Sequence, residues 1–210
     1  MKTGLAVLAL VLVPTLAAAV PFGNWKEQRF SLFSSNDWSQ SARGVQVRSQ
    51  SAVSLIWTRV PPAQGQATRA SWDWRVSQSV PATDLTRKGG DDRDLSVYFV
   101  FMPQAVAEAN RGASIRKLLG IKEARVLMYV WGGEHARGAV LPTPYLGARG
   151  RTVILRKAGT GAHRESVDLA ADYQRAFGER KTTLVGLALS SDSDDTDSRV
   201  QAALSDLELN

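Results

Sequence analysis

Two groups of aspartates are the residues best suited to chemistry in this chain of 210 residues. Asp91 and Asp92 stand together after Gly89-Gly90, at the lip of a strand-like run, where a carboxylate couple can act as acid and base or hold a metal. Neighbouring carboxylates point in different directions in an extended chain, so their simpler role is a turn that caps its own backbone. The run Asp192-Ser-Asp-Asp-Thr-Asp197 sets hard oxygen ligands at alternate positions, which suits a structural calcium ion. It is not an EF-hand, because Asp197 fills the sixth position and Ala203 the twelfth. Asp192, Asp194 and Asp195 are the expected ligands, with Asp206 as a last-strand acid by analogy with jelly-roll modules. An ion-free, solvated acidic loop is the alternative.

Further candidates lie on strand-like segments. Asp73 and Arg75 share one face of a strand, where the arginine fork can hold a ligand carboxylate or a pair of hydroxyls, or else join a cross-strand salt bridge. Trp131 precedes Gly132-Gly133 and can stack on a sugar ring or fill the core. Trp72 and Trp74 alternate with Asp73 and Arg75 and read as core. His135 and His163 are the only histidines, and both read as sitting in glycine-flanked loops. The chain has no nucleophile elbow, zincin motif, phosphate loop or dinucleotide fingerprint. With no cysteine, disulfides, thiol catalysis and thiolate metal sites are excluded. A carboxylate-only mechanism, as in glycoside hydrolases, needs neither residue.

The elements that position these groups read as strands. Alternating or apolar runs fall at 44–49, 52–60, 67–77, 94–102, 124–131, 151–157, 182–190 and 200–209, separated by Gly- and Pro-rich turns. Both faces of 94–102 are apolar, which predicts a central strand. Asp168 can cap a helix carrying Leu169, Tyr173 and Phe177 on one face, with Gly178 ending it. Gln104 to Leu119 predicts one or two short helices, and Pro142-Thr-Pro-Tyr-Leu-Gly147 reads as loop within a long excursion over 132–150. The expected architecture is all-β: a single sandwich of jelly-roll, galactose-binding-like type over residues 20–210, with one or two short peripheral helices.

Residues 1–19 carry the marks of a secretory signal peptide: Lys2, an apolar run from Leu5 to Val13, and Ala17-Ala18-Ala19. The expected product begins near Val20, has no transmembrane segment, and is periplasmic or secreted. The formal net charge is +6, yet from Ser190 onward six acids face one base, Arg199, leaving a basic body with an acidic loop. Such a body suits an anionic envelope partner, while the absence of a dense basic run argues against nucleic acid.

Several separated motifs occur in one order: Trp72-Asp-Trp-Arg-Val76, Gly90-Asp-Asp92, Val97-Tyr-Phe-Val-Phe101, Tyr129-Val-Trp131, Ala171-Asp-Tyr173, Ala176-Phe-Gly178 and Asp192-Ser-Asp-Asp-Thr196. Together they resemble a bacterial family of unknown function, domain of unknown function 3047, from about Phe30 to Leu209. The resemblance implies an exported protein of sandwich type, similar in outline to carbohydrate-binding jelly rolls, and implies no established activity. Ser96 stands where a basic residue is common in that family, and Asp195 where asparagine is common. The functional expectation is a non-catalytic binding module for a glycan or other cell-envelope ligand. The alternatives are a polysaccharide-directed enzyme using Asp91 or Asp92 with an acid of the Asp192 loop, and an interaction module of an envelope assembly.

Overall fold

The computed structural model describes residues 17–210, and they form an all-β sandwich of jelly-roll type. One sheet holds β1 (Ala18–Ala19), β3 (Asp37–Gln40), β4 (Gly44–Gln50), β6 (Arg69–Gln78), β11 (Gly161–Asp168) and β13 (Arg199–Leu209). Its order is β11-β6-β13-β4-β3, with β1 also paired to β13. The other holds β2 (Lys26–Arg29), β5 (Val53–Arg59), β7 (Arg93–Met102), β8 (Arg125–Trp131), β9 (Val140–Thr143), β10 (Gly147–Arg156) and β12 (Thr183–Asp192). Its order is β2-β5-β12-β7-β8-β10-β9, antiparallel except for the β8–β10 pair.

The alternation in β6 has the consequence expected of it. Trp72 and Trp74 point between the sheets and are almost wholly buried. They meet aromatics from β7 and β8: Trp72 lies 5.7 Å from Tyr129 and 6.2 Å from Phe99, and Trp74 lies 5.4 Å from Trp131. Large flat side chains from facing sheets interdigitate in this way because sandwich cores are thin and close-packed. Glu165 of β11 enters the same layer, buried, accepting from Trp74 Nε1 at 3.2 Å and from Arg156 Nε at 2.7 Å. It therefore ties the edge of one sheet to the other. Helix α3 (Leu169–Phe177) caps one end. Asp168 accepts from Ala171 N, Gly178 adopts φ 72°, and Tyr173 packs on Phe101.

Strand β7 is central, and the second sheet is apolar on both faces. Leu95, Val97, Phe99 and Phe101 face the first sheet, while Val100 and Met102 join Val126, Met128, Val130 and Ile154 in a separate outer cluster. Part of that outer face is covered by helices α1 (Gln104–Ala109) and α2 (Ile115–Gly120), and by the turn after β9. The expected loop at 142–147 is corrected here: Pro142 and Thr143 belong to β9, an edge strand where a missing N–H is tolerated. His163 likewise sits within β11 and not in a loop. The expected signal peptide lies largely outside the described residues; Ala18 and Ala19, at its expected end, pair with Leu209 and Glu208. Among the described residues no helix is long and apolar enough to cross a membrane.

One buried acid makes the fold sensitive to pH. Asp94 is buried and accepts from Val80 N and Ser79 Oγ, both at 2.9 Å, where the end of β6 meets β7. Burial pushes its carboxyl up to about 7 against those hydrogen bonds. A carboxyl whose folded value lies above its unfolded value stabilises the fold fully below the unfolded value, and that contribution is lost as pH rises through the folded one. Between pH 4 and pH 8 the wild type should lose on the order of 2–4 kcal/mol relative to Asp94→Asn, read by urea unfolding in chelator-treated buffer. Parallel pH profiles for the two proteins would contradict this.

Candidate functional site

The uncovered part of the second sheet's outer face is a cleft of about 380 Å³. Leu55 of β5, Tyr98 of β7, Met128 of β8 and Thr152 of β10 contribute to its lining. Two aromatic side chains in it are more than half exposed, Phe30 at 58% and Tyr145 at 57%. Asp91, Arg93, Asp192, Asp194 and Asp195 gather in the same cleft.

Arg93 organises this acidic part. The β7–β12 register shifts between Ser190 and Asp192, setting Asp192 opposite Arg93, the kind of irregularity that re-aims a side chain at a strand end. Gly132 makes the position possible: a Cβ there, at φ 149°, would lie 2.7 Å from Arg93 Cβ. The guanidinium, 12% exposed, donates Nη1 to Asp91 O at 2.7 Å and to Asp91 Oδ2 at 2.9 Å, and pairs with Asp192 Oδ2 at 3.2 Å. Nε donates to Ser96 Oγ at 2.9 Å and Nη2 to Tyr98 OH at 3.2 Å. Tyr98 OH in turn meets Ser190 Oγ at 3.0 Å. Burial alone would lower the Arg93 pKa, and Tyr98, Asp192 and Asp91 outweigh it, so the group stays charged. Ser96 thus accepts from the arginine three positions earlier.

The paired aspartates take separate roles, both buried. Asp91 accepts from Tyr145 OH at 3.0 Å, which anchors the exposed ring, and Lys88 Nζ lies 5.7 Å from that ring's centre. Burial and the neighbouring Asp91 push the Tyr145 hydroxyl up to about 12. Asp92 clamps the acidic loop: it accepts from Asp195 N at 3.2 Å, from Thr196 N at 2.8 Å and from Thr196 Oγ1. Asp91 N returns a bond to Asp195 Oδ2 at 3.4 Å. Burial raises the carboxyl of Asp192 to about 8, with Arg93 opposing and Asp194 and Asp92 reinforcing the shift. Burial also raises Asp195, helped by the carboxylates around it.

Three expected site groups are not brought here. Asp73 and Arg75 lie on the outer face of the first sheet, away from the cleft, and Asp73 pairs with Arg164 directly opposite on β11 at 2.7 Å. Trp131 is 2% exposed, packed by Trp74 and by His163 at 5.1 Å, with its Nε1 donated to Gly159 O, so it offers no face to a ligand. Asp206 sits near the far end of β13 from the acidic loop and pairs with exposed Arg43 at 2.9 Å, so it joins no ligand set with Asp192. Conversely, Arg93, Tyr98 and Tyr145 carry the site without having been singled out by the sequence. A lone arginine opening an apolar central strand, and a tyrosine following Pro-Thr-Pro, were the available signals.

A two-sheet sandwich with a cleft on the outer face of one sheet, lined by exposed aromatics and clustered carboxylates, defines the class of protein. The chain belongs to the family described as "Protein of unknown function (DUF3047)", whose model matches residues 23–208. No curated protein matches it in sequence. Among solved structures it is similar to the xyloglucanase domain of NopAA, a type three effector from Sinorhizobium fredii in complex with cellobiose. The identity is 8%, covering 92% of this chain and 97% of that one, with a TM-score of 0.48. It is also similar to one of two major endo-1,4-beta-xylanases from Trichoderma reesei, at 8% identity, 89% and 98% coverage and a TM-score of 0.43. The family 11 xylanase from Neocallimastix patriciarum gives 11%, 88%, 100% and 0.35 in the same order.

Proposed function

We propose that this chain is an exported, non-catalytic binding module and that its cleft takes a segment of glycan. The observation that carries the reading is the pairing of exposed Tyr145 and Phe30 with an apolar floor and a carboxylate cluster in one cleft. Sugar rings present flat C–H faces that pack on aromatic side chains, and hydroxyls that donate to carboxylates. Tyr145 is suited to the first task because its hydroxyl is held by Asp91 while its ring stays open to solvent.

The arrangement favours binding over hydrolysis. A glycosidase needs two carboxyl groups roughly 5–9.5 Å apart with the scissile bond between them. Here Asp91 and Asp192 both bond the same Nη1 of Arg93, so a protein cation lies between that pair. Isothermal titration against a panel of neutral and acidic oligosaccharides should find a ligand whose affinity falls about tenfold or more in Tyr145→Ala, with an unchanged melting temperature. Release of new reducing ends from any member of the panel, or binding indifferent to both Tyr145→Ala and Phe30→Ala, would overturn the reading.

Export is the other half of the proposal, supported by Lys2, the apolar run and the three alanines before Val20. Cleavage after Ala19 would remove β1 and leave Val20 N, which donates to Leu207 O at 2.8 Å, as the new terminus. Mass spectrometry of the natively expressed protein should find an N-terminus at or near Val20. An intact Met1 recovered from the cytoplasm would contradict it.

A further inference from the structure

We propose that the corner of the cleft formed by Asp92, Asp192, Asp194 and Asp195 binds one calcium ion. The first ground is geometric. One carboxylate oxygen from each of Asp92, Asp194 and Asp195 lies within 4.8 Å of the others. Oxygens bound to a single calcium at about 2.3–2.6 Å fall within that spread.

Acidic side chains crowd together on many surfaces without an ion, so the second, independent ground matters more. Asp192 is 6% exposed and stands outside that triad; its Oδ2 is spent on Arg93, while its Oδ1 is shut off from solvent with no hydrogen-bond partner. Asp192 lines the same corner of the cleft as Asp194 and Asp195. A buried carboxylate oxygen without a partner is costly, and native structures rarely leave one so. Ionised carboxyl groups gathered in one corner supply acceptors and no donor, and a cation can take the place of a proton shared between them.

The loop is held in the shape such a site requires. Asp92 receives the Asp195 and Thr196 backbone N–H groups, Ser193 N donates to Ala52 O at 3.1 Å, and Ser193 Oγ meets Ser49 Oγ at 2.7 Å. These bonds pin the loop backbone to the start of β7 and to Ser49 and Ala52. Five carboxyl groups, Asp91 included, then gather at this end of the cleft, and only Asp91 and Asp192 pair with Arg93. The donors are all oxygen, with no histidine or cysteine among them, which selects a hard cation. Calcium accepts irregular coordination by several carboxylates, whereas magnesium demands near-ideal octahedral geometry and keeps its waters.

The test uses the protein without its leader, chelator-treated, and calcium chloride alone as probe. Calorimetry should find one site per chain, and the melting temperature should rise by several degrees in millimolar calcium and fall back on adding chelator. Asp194 is exposed, so Asp194→Asn leaves the fold intact and should weaken calcium binding tenfold or more. Asp206→Asn, an acid of the same chain away from the corner, should keep the wild-type response. A melting curve indifferent to millimolar calcium, or an undiminished response in Asp194→Asn, would overturn the proposal. An equal response to magnesium would overturn the assignment to calcium.

Discussion

A buried guanidinium has to be neutralised where it stands, and in this protein that requirement shapes everything around the cleft. Arg93 is nearly enclosed, and its contacts draw in the Asp91 turn, the end of β12 through Asp192, and the outer face of β7 through Ser96 and Tyr98. Each contact recruits another. Asp91 fixes Tyr145, Tyr98 reaches Ser190, and Asp92, its neighbour in sequence, clamps the Asp194–Thr196 turn. The acidic loop is thus held by a network built on one positive charge, and the surplus of negative charge lies on the solvent side of it.

The second constraint is the two-faced sheet. A strand such as β7, apolar on both sides, must be covered twice, and the first sheet covers only one side. The short helices α1 and α2 and the β9 turn bury part of the other face. What they leave uncovered is the cleft. Its apolar floor is therefore a consequence of how the sheet is packed, and its acidic part a consequence of Arg93. The two meet at Tyr145, whose hydroxyl belongs to the Asp91 network and whose ring is open to solvent.

Much of the fold was legible in the sequence because its signals are local. Alternation over residues 70–76 reported the buried tryptophans, and Asp168 with Gly178 bounded α3 to the residue. The site was less legible, because its residues are assembled by register. Asp192 closes β12, from which the acidic loop leads to the start of β13, whereas Asp206 lies near the far end of β13. Trp131 beside two glycines resembles a binding platform, but those glycines serve the close approach of Arg93 and Leu85. Strand β9 was hidden by its proline, Pro142, which an edge strand tolerates. Arg93 itself escaped notice because its one local mark, opening an apolar central strand, does not by itself separate a buried arginine from the solvated ones that dominate this basic chain.

The claim that Arg93 organises the cleft is tested most directly by a double-mutant measurement of unfolding free energy in metal-free buffer. Arg93→Met leaves Asp91 and Asp192 buried without their cation, and should cost about 3–5 kcal/mol. Adding Asp192→Leu, so that an apolar pair replaces the ionic one, should recover a large part of that loss. A cost below about 1 kcal/mol for Arg93→Met, or the same cost with and without Asp192→Leu, would contradict the account.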